Sequence, residues 1–202
     1  MDYKERESKF YIQDLEGIAE RLRLSGGDLI QPRVLERNFR MDTPDRQLLQ
    51  SGRLLRLRED YHVHVTYKEN ARMEDGVISR TEIEFTTDNI EAVQKLFESL
   101  GYAVIVIYEK YRRVFQLGDV KVMLDELPFG NFIEIEAANN VLIEGMAQML
   151  GLDWSRGIGT NYLGLWEIAR KNAALDARDL TFKNLEDVTL KPSDLQVEAA
   201  DR

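Results

Sequence analysis

Charged residues recur at every second position in several short segments of this sequence. Glu5, Glu7 and Lys9 follow this spacing near the N-terminus. The same pattern continues along the chain with Arg56 and Arg58, Lys68, Glu82 and Glu84, Lys110 and Arg112, Asp125, and Glu134 and Glu136. Because successive side chains of a β-strand point to opposite faces, residues two apart share a face. The spacing therefore predicts a series of strands that each carry one charged face.

The residues between these charges are mostly apolar. Leu55 and Leu57 alternate with the arginine pair, and Ile133 and Ile135 flank Glu134. A single Glu-x-Glu pair is most simply a solvated face of an antiparallel sheet. Helices predicted from the same sequence, however, carry apolar stripes that need the apolar strand faces as partners. The charged faces then point the other way, which in a closed barrel is the interior.

An interior of this kind holds seven carboxylates and six cations. It cannot be dry, because the burial of unpaired charge is very costly. Mutual pairing offsets part of that cost, and bound metal ions and a polyanion would offset the rest. Arginine and lysine suit phosphate oxygens, whereas carboxylates suit magnesium and manganese. The pattern favours phosphoryl transfer from a triphosphate, with a metal-bound water as the nucleophile.

The elements that position these charges are mainly strands. Alternation and turn residues predict strands at 3–12, 33–42, 53–60, 61–69, 78–87, 102–116, 119–127 and 131–138. Helices are predicted at about 14–24, around Leu48 and Leu49, from Asp88 or Asn89 to Gly101, and at about 141–151 and 161–173. The fold class is therefore α+β and mostly β, as an antiparallel barrel or a strongly curved sheet with helices outside or across its ends.

Composition excludes several classes of protein. The 202 residues include no cysteine and two histidines, which excludes disulfides, thiolate metal sites and an all-histidine zinc site. A net charge of −9 argues against nonspecific nucleic-acid binding. Because the sequence shows neither a signal-peptide core nor a membrane-spanning stretch, we expect a soluble cytoplasmic protein without a membrane partner. Residues 1–173 would form the domain, and the acidic residues 174–202 a tail or loosely docked appendage.

The charged segments resemble the CYTH superfamily, the triphosphate tunnel metalloenzymes, which include thiamine triphosphatases, inorganic triphosphatases and class IV adenylate cyclases. Glu5, Glu7 and Lys9 match the signature Glu-x-Glu-x-Lys. Later segments match the Arg-x-Arg, lysine, Glu-x-Glu and Lys-x-Arg strands in order, and LDELPFGNFIEIE resembles the family's aspartate-to-glutamate hairpin. The segment at Tyr162 resembles a late Ser-Tyr helix start, with Asn161 in place of serine. The similarity extends from about residue 3 to residue 172.

The resemblance implies an eight-stranded antiparallel closed barrel, the triphosphate tunnel. It implies one or two divalent ions, Mg²⁺ or Mn²⁺, held by Glu5, Glu7, Asp125, Glu134 and Glu136. The phosphates would be bound by Lys9, Arg56, Arg58, Lys68, Lys110 and Arg112. Catalysis would depend on Glu5, Glu7 and Lys9, with Glu82, Glu84 and Tyr162 in support. Glu82, Glu84 and Asp125 could instead orient the arginines, and the resemblance does not separate these roles.

A few other residues could belong to the site. His62 and His64 share a strand face with Lys68, although histidines on a polar face are commonly incidental. Arg37 and Arg80 could extend the basic lining or lie at the surface. Trp154 and Trp166 are expected to be packing residues near the C-terminal helices.

Three functions remain open at this point. The first is a metal-dependent triphosphatase acting on a small-molecule triphosphate such as inorganic tripolyphosphate, thiamine triphosphate or a nucleoside triphosphate. The second is a class IV adenylate cyclase, which the family resemblance disfavours because no His-Phe pair precedes Glu5 and no residue set is dedicated to adenosine. The third is a non-catalytic polyphosphate-binding module. The protein is expected to be a monomer or a homodimer.

Overall fold

Eight antiparallel strands close into a ring in the computed structural model, which describes residues 3–201. In chain order the strands are β1 (Tyr3–Ile12), β2 (Asp28–Asp42), β3 (Leu54–Glu59), β4 (Val63–Glu74), β5 (Val77–Thr87), β6 (Ala103–Leu117), β7 (Val120–Leu127) and β8 (Gly130–Glu136). Their order around the ring is β1-β5-β4-β3-β2-β6-β7-β8, and β8 pairs with β1. The predicted barrel is confirmed.

The helices lie in the connections between strands and after the last strand. They are α1 (Leu15–Leu24), α2 (Gln47–Gln50), α3 (Ile90–Ser99), α4 (Asn140–Met149) and α5 (Tyr162–Asn172). Asp14, Asn89, Asn139 and Asn161 each cap a helix by accepting a backbone N–H of its first turn. No helix within residues 3–201 has the length and apolar character needed to cross a bilayer.

The largest difference from the sequence-based boundaries lies between β4 and β5. A loop is predicted from Asn70 to Gly76, but β4 continues to Glu74 and only Asp75 and Gly76 form the turn. Both turn residues have positive φ, 51° and 79°, as a tight hairpin requires. The extension is polar and exposed and contains a register shift between Glu69 and Arg72, so its sequence shows no clear alternation.

Strand register places opposite charges next to each other inside the ring. Lys9 pairs with Glu134 across β1 and β8, and Lys68 pairs with Glu82 across β4 and β5. In the same way Arg112 lies opposite Asp125 and Glu36 opposite Lys110. Neighbouring side chains on one face of an antiparallel pair lie about 5 Å apart, which suits ion pairing. The register therefore builds much of the charge pairing directly into the barrel.

Apolar residues fill the outer faces of the strands and contact the helices. One cluster joins α1 and α4 to the outer faces of β1, β7 and β8, and includes Phe10, Ile18, Leu124, Ile133 and Ile143. A second joins α2 and α3 to β2, β3 and β4 through residues such as Met41, Leu48 and Leu57. Charged inner faces and apolar outer faces are the reverse of an ordinary small barrel. This arrangement agrees with the interpretation of the sequence.

A third cluster covers one end of the barrel and contains α5 together with the C-terminal segment. Trp166 of α5 is fully buried there, and Leu180 and Leu195 of the segment are 0% and 1% exposed. The backbone of Leu180 bonds to β6, and the carboxylate of Asp201 accepts the backbone N–H groups of Gln13 and Asp14. Residues 174–201 therefore pack closely on the barrel, although they are acidic and weakly patterned.

Leu180→Ala should lower the free energy of unfolding by about 2–5 kcal/mol, because a fully buried leucine leaves a cavity when it is truncated. Denaturant titration measures this loss. Leu24→Ala serves as the matched control, since Leu24 is 80% exposed on α1 and should change stability by less than about 0.5 kcal/mol. Equal effects of the two variants would show that the C-terminal segment adds little to the folded state.

Candidate active site

The interior of the barrel is an open cavity of about 690 Å³. Most of the residues that the sequence nominates line it, and they are Glu5, Glu7, Lys9, Arg56, Arg58, Lys68, Glu82, Glu84, Lys110, Arg112, Glu134, Glu136 and Tyr162. Eight strands contribute the wall, and α5 contributes Asn161, Tyr162 and Leu163. The fold therefore places these residues around one cavity. Their roles in binding metal ions and phosphate stay predictions.

Three glutamates come together on β1 and β8. Glu5 accepts two hydrogen bonds of 2.7 Å from the Nζ of Lys68, and Glu7 accepts one of 2.5 Å from Arg80. Burial raises the pKa of Glu136, and the charges of Glu5 and Glu7 add to this effect against the opposing effect of Lys121. Glu136 therefore lies buried beside two other carboxylates, and burial and their negative charge both oppose its ionisation.

Lys9, Glu134 and Arg112 form a buried ionic network. The Nζ of Lys9 lies 2.9 Å from Glu134, and Arg112 donates to the same carboxylate. Burial opposes the ionisation of Glu134, but Lys9 and Arg112 nevertheless hold its pKa well below the ordinary value. Glu134 therefore stays negative and compensates two cations of the wall.

Asp125 is 0% exposed and lies behind the cavity wall. It accepts hydrogen bonds of 2.6 Å from the Nε of Arg112, 3.0 Å from Lys110 and 2.7 Å from the hydroxyl of Tyr162. Each of these donors itself lines the cavity. Of the two roles that the resemblance leaves open, this geometry supports the orientation of basic residues.

Tyr162 covers the end of the cavity beside this network. Its ring lies 4.0 Å from the Nζ of Lys9, and it packs edge-on against Phe132 with the ring centroids 5.2 Å apart. Burial and the neighbouring charge of Asp125 raise the pKa of Tyr162 well above its usual value, so the hydroxyl remains a donor. Asn161 caps α5 and thereby sets the start of the helix that presents Tyr162.

Three arginines from three strands line the part of the cavity next to the glutamates. They are Arg40 of β2, Arg56 of β3 and Arg80 of β5. Arg40 is buried, and within the part of the chain that the structure describes it forms no ion pair and its Nε has no hydrogen-bond partner. Burial lowers the pKa of Arg40 to about 10, and the positive charges of Arg56 and Arg80 contribute to this, countered in part by Tyr108 and Asp42. A buried, unpaired guanidinium beside two others is a place where an anion is strongly favoured.

The hydroxyl of Tyr108 lies in the positive field of the neighbouring arginines and Lys110. Burial alone would raise the pKa of its hydroxyl, but the nearby charges of Arg56 and Lys110 lower the pKa instead. The Nη1 of Arg56 lies 3.4 Å from this hydroxyl. The lowered pKa indicates a positive potential at this hydroxyl, which agrees with the lack of an ion pair for Arg40 within residues 3–201.

The remaining candidates are divided between the cavity and the outside. Arg80 lines the cavity, whereas Arg37 points outward and lies 3.7 Å from Glu109. The ring nitrogens of His64 lie 3.3 Å from Glu84 and 3.3 Å from Asp60, and His62 is exposed. Trp154 packs on Phe10 with ring centroids 5.7 Å apart, and Trp166 is buried in the cluster at the barrel end. The expectation of packing roles for both tryptophans agrees with these contacts.

The sequence interpretation missed several residues of the wall. Glu36, Arg40, Tyr108 and Lys121 line the cavity without having been nominated. A signal for two of them existed, since Glu36 and Arg40 lie on one face of β2 with Asn38 between them. Register shifts in the first half of β2 interrupt this alternation, so the charged face is visible only in the second half of the strand.

The glutamate cluster fits a divalent metal ion in its donor chemistry. Carboxylate oxygens are the ligands that Mg²⁺ and Mn²⁺ prefer, and such an ion would relieve the repulsion from Glu5 and Glu7 that adds to the effect of burial on the pKa of Glu136. As the side chains lie, no three acidic or histidine residues between 3 and 201 are grouped closely enough to hold a metal. Glu5 and Glu7 are turned toward Lys68 and Arg80. Metal binding therefore requires these glutamates to exchange a cationic side chain for the ion.

Comparison with known proteins finds a matching family and a related protein. The model of the CYTH domain matches residues 3–141. A protein of Methanocaldococcus jannaschii, named as a candidate adenylate cyclase, is 28% identical over 134 residues, which cover 65% of this chain and 75% of that protein.

Solved structures of other proteins share the fold, among them the following two. A candidate adenylate cyclase of Vibrio parahaemolyticus has a TM-score of 0.72 at 22% identity, covering 83% of this chain and 99% of that one. A candidate adenylyl cyclase of Hippeastrum, described as having a dominant triphosphatase activity, has a TM-score of 0.60 at 15% identity. That similarity covers 96% of this chain and 100% of the Hippeastrum chain.

Glu36→Gln should destabilise the protein at neutral pH. The Oε2 of Glu36 lies 3.5 Å from Lys110 and its Oε1 lies 3.7 Å from Arg58. Burial raises the pKa of Glu36, but these cations and Arg112 outweigh burial and lower the pKa to about 2 from 4.5. The stabilisation is therefore complete above about pH 4.5 and is lost as the pH falls toward 2. We expect a loss on the order of 3 kcal/mol at pH 7.

Urea unfolding of the parent and the Glu36→Gln variant at pH 7, 4 and 3 measures this difference. Glu20→Gln is the control, because the side chain of Glu20 is 59% exposed on α1. A difference between parent and Glu36→Gln that stays constant from pH 7 to pH 3 would contradict the assigned ionic role of Glu36.

Proposed function

Because the chain belongs to the CYTH domain family, whose enzymes are triphosphatases or adenylate cyclases, we propose that it is a divalent-metal-dependent triphosphatase. It releases the terminal phosphate of a small-molecule triphosphate inside the barrel. The substrate enters the cavity and is bound by lysine and arginine side chains of the wall. Water attacks the terminal phosphorus, and no protein side chain acts as the nucleophile.

The observation that carries this proposal is the arginine group of Arg40, Arg56 and Arg80. Arg40 is buried without an ion pair within residues 3–201, and its lowered pKa reflects the cost of that burial. A phosphate group supplies the missing negative charge and accepts hydrogen bonds from planar guanidinium groups. Folding a barrel around an unpaired guanidinium is costly, and phosphate binding explains why this cost is tolerated.

The carboxylates complete the site. Glu5, Glu7 and Glu136 would hold the divalent ion, and enzymes of this family depend on divalent metals. A bound ion would neutralise phosphate charge and activate a water. Lys68 and Arg80 now donate to Glu5 and Glu7, and phosphate oxygens can replace these glutamates as acceptors. The same lysine and arginine thus pair with these glutamates and are the donors that would bind the substrate.

The basic residues beside Tyr162 are fixed in position. Asp125 holds Lys110 and Arg112, and Glu134 holds Lys9 and Arg112. Buried and hydrogen-bonded on one side, these cations have little freedom to follow a moving substrate. Such preorganised charge is the main source of rate acceleration expected in phosphoryl transfer. We therefore place Asp125 with the positioning residues.

Adenylate cyclase is the second candidate, because the Methanocaldococcus and Vibrio relatives carry that name. The Hippeastrum protein carries it too, yet that protein is described by a dominant triphosphatase activity. The name of a relative therefore does not separate the two reactions. A cyclase must direct a ribose hydroxyl at the phosphorus nearest the sugar, whereas a triphosphatase directs water at the terminal phosphorus.

The product distinguishes these reactions. With ATP, tripolyphosphate or thiamine triphosphate and either Mg²⁺ or Mn²⁺, we expect orthophosphate as the main inorganic product, with little cyclic AMP from ATP. Chromatographic separation of the products measures both. Cyclic AMP and pyrophosphate as the main products would establish the cyclase instead. Tight binding of tripolyphosphate without turnover of any substrate would indicate a polyphosphate-binding module.

Arg40→Met should lower kcat/KM for the preferred triphosphate by about a hundredfold without reducing the free energy of unfolding, because it removes a phosphate donor together with a buried unpaired charge. Phosphate release and urea unfolding measure the two effects. Arg37→Met is the control on the same strand, since Arg37 faces outward beside Glu109. Full activity of Arg40→Met would remove Arg40 from the binding site.

A further inference from the structure

One stretch of the cavity wall carries no charge. Gln31 of β2 pairs with Val114 of β6, Val114 pairs with Met123 of β7, and Met123 pairs with Glu134 of β8. All four residues line the cavity. Gln31, Val114 and Met123 thus form a continuous uncharged row, which we name the neutral row, and it ends at Glu134.

Two of the three residues of the neutral row are buried and Gln31 is half-buried, although the row faces a charged cavity. Val114 and Met123 are 6% and 4% exposed. The Nε2 of Gln31 is buried and has no hydrogen-bond acceptor among the residues that the structure describes. Next to Gln31, the side chain of Ile30 also lines the cavity and is 55% exposed. This part of the wall therefore combines apolar surface with one unused amide donor.

Phosphate groups do not explain this chemistry, because valine and methionine offer no donor to their oxygens. A flat aromatic head group does explain it. The methionine thioether makes favourable contacts with aromatic rings, and valine covers the ring with apolar surface. The Gln31 amide can donate to a ring nitrogen or a carbonyl oxygen of the same group, which satisfies a buried donor.

The position of the row relative to the cations suits a triphosphate with such a head. On β6 the inward side chains run from Val114 to Arg112 and then to Lys110. Each two-residue step along a strand covers about 7 Å. A head group on the neutral row therefore places its phosphate chain along Arg112 and Lys110, toward the end of the barrel that Tyr162 covers.

We propose that the neutral row binds the base of a nucleoside triphosphate, so that the substrate is an organic triphosphate in preference to inorganic tripolyphosphate. This inference rests on the proposed triphosphatase function and assigns its substrate class. Gln31, Val114 and Met123 determine specificity without taking part in the chemistry. Binding of the base on this row is compatible with attack of water on the terminal phosphorus and with attack of a ribose hydroxyl on the phosphorus nearest the sugar.

Equilibrium binding tests the inference independently of turnover. Calorimetry with Mg²⁺ compares an imido-bridged, non-hydrolysable ATP analogue with imido-bridged tripolyphosphate. The parent should bind the nucleotide analogue more tightly. Gln31→Ala should weaken nucleotide binding by about fivefold, the effect of one lost hydrogen bond, and leave tripolyphosphate binding within about twofold. Met123→Gln keeps the length of the side chain, removes the thioether and should show the same selectivity.

Two control variants match these substitutions on the outside of the barrel. Gln13→Ala changes an exposed glutamine, and Met149→Gln changes a methionine that is 42% exposed on α4. Neither should alter the binding of either ligand. Circular dichroism of all four variants verifies that the fold is retained.

The outcomes separate this inference from the proposed function. Selective loss of nucleotide binding in Gln31→Ala and Met123→Gln supports the neutral row as the base site. Equal loss for both ligands, no loss in either variant, or a parent that binds tripolyphosphate as tightly as the nucleotide overturns it. Selective nucleotide binding by a parent that hydrolyses no triphosphate would refute the triphosphatase function and leave the base site standing.

Discussion

Charge compensation inside a closed barrel is the constraint on which the rest of this structure depends. Lys9, Glu134, Arg112 and Asp125 are all nearly inaccessible to solvent, and each would be very costly to bury without its partners. The partners lie on different strands, so pairing requires one register throughout β1, β6, β7 and β8. A slip of one residue would turn the charges outward and the apolar residues inward. The apolar outer faces then require α1 to α4 as cover.

The same network connects the cavity to the C-terminal core. Tyr162 donates to Asp125 inside the barrel and packs on Phe132, while Trp166 of the same helix donates to the backbone of Arg178. The position of α5 therefore depends both on the ionic network and on the segment after residue 173. Through Tyr162 and Asp125, that acidic segment contributes to the orientation of Lys110 and Arg112, although it supplies no residue to the cavity wall within the described part of the chain.

Much of the fold and of the site could be predicted from short-range pattern. Alternation identified the charged strand faces, and the CYTH resemblance that these residues suggested is confirmed by the family match to residues 3–141. The alternation of residue types did not predict the site residues or strand ends where the backbone departs from a regular strand. Register shifts in β2 limit the alternating charged face to the second half of the strand, where Glu36 and Arg40 lie, and Arg37 on the same strand faces outward. The polar end of β4 looked like a loop because nothing in its composition distinguishes an exposed strand from a connection.

The sequence by itself determined which residues share a strand face, where the helices begin and which family the chain belongs to, because these properties depend on residues close together along the chain. The tertiary structure decided which charges are neutralised and which are left for a ligand. Glu134 is paired with Lys9 and Arg112, whereas Arg40 has no ion pair within residues 3–201. It also decided that Gln31, Val114 and Met123 meet on one wall. These outcomes depend on ring closure and register, which bring together side chains as distant in the sequence as Lys9 and Glu134.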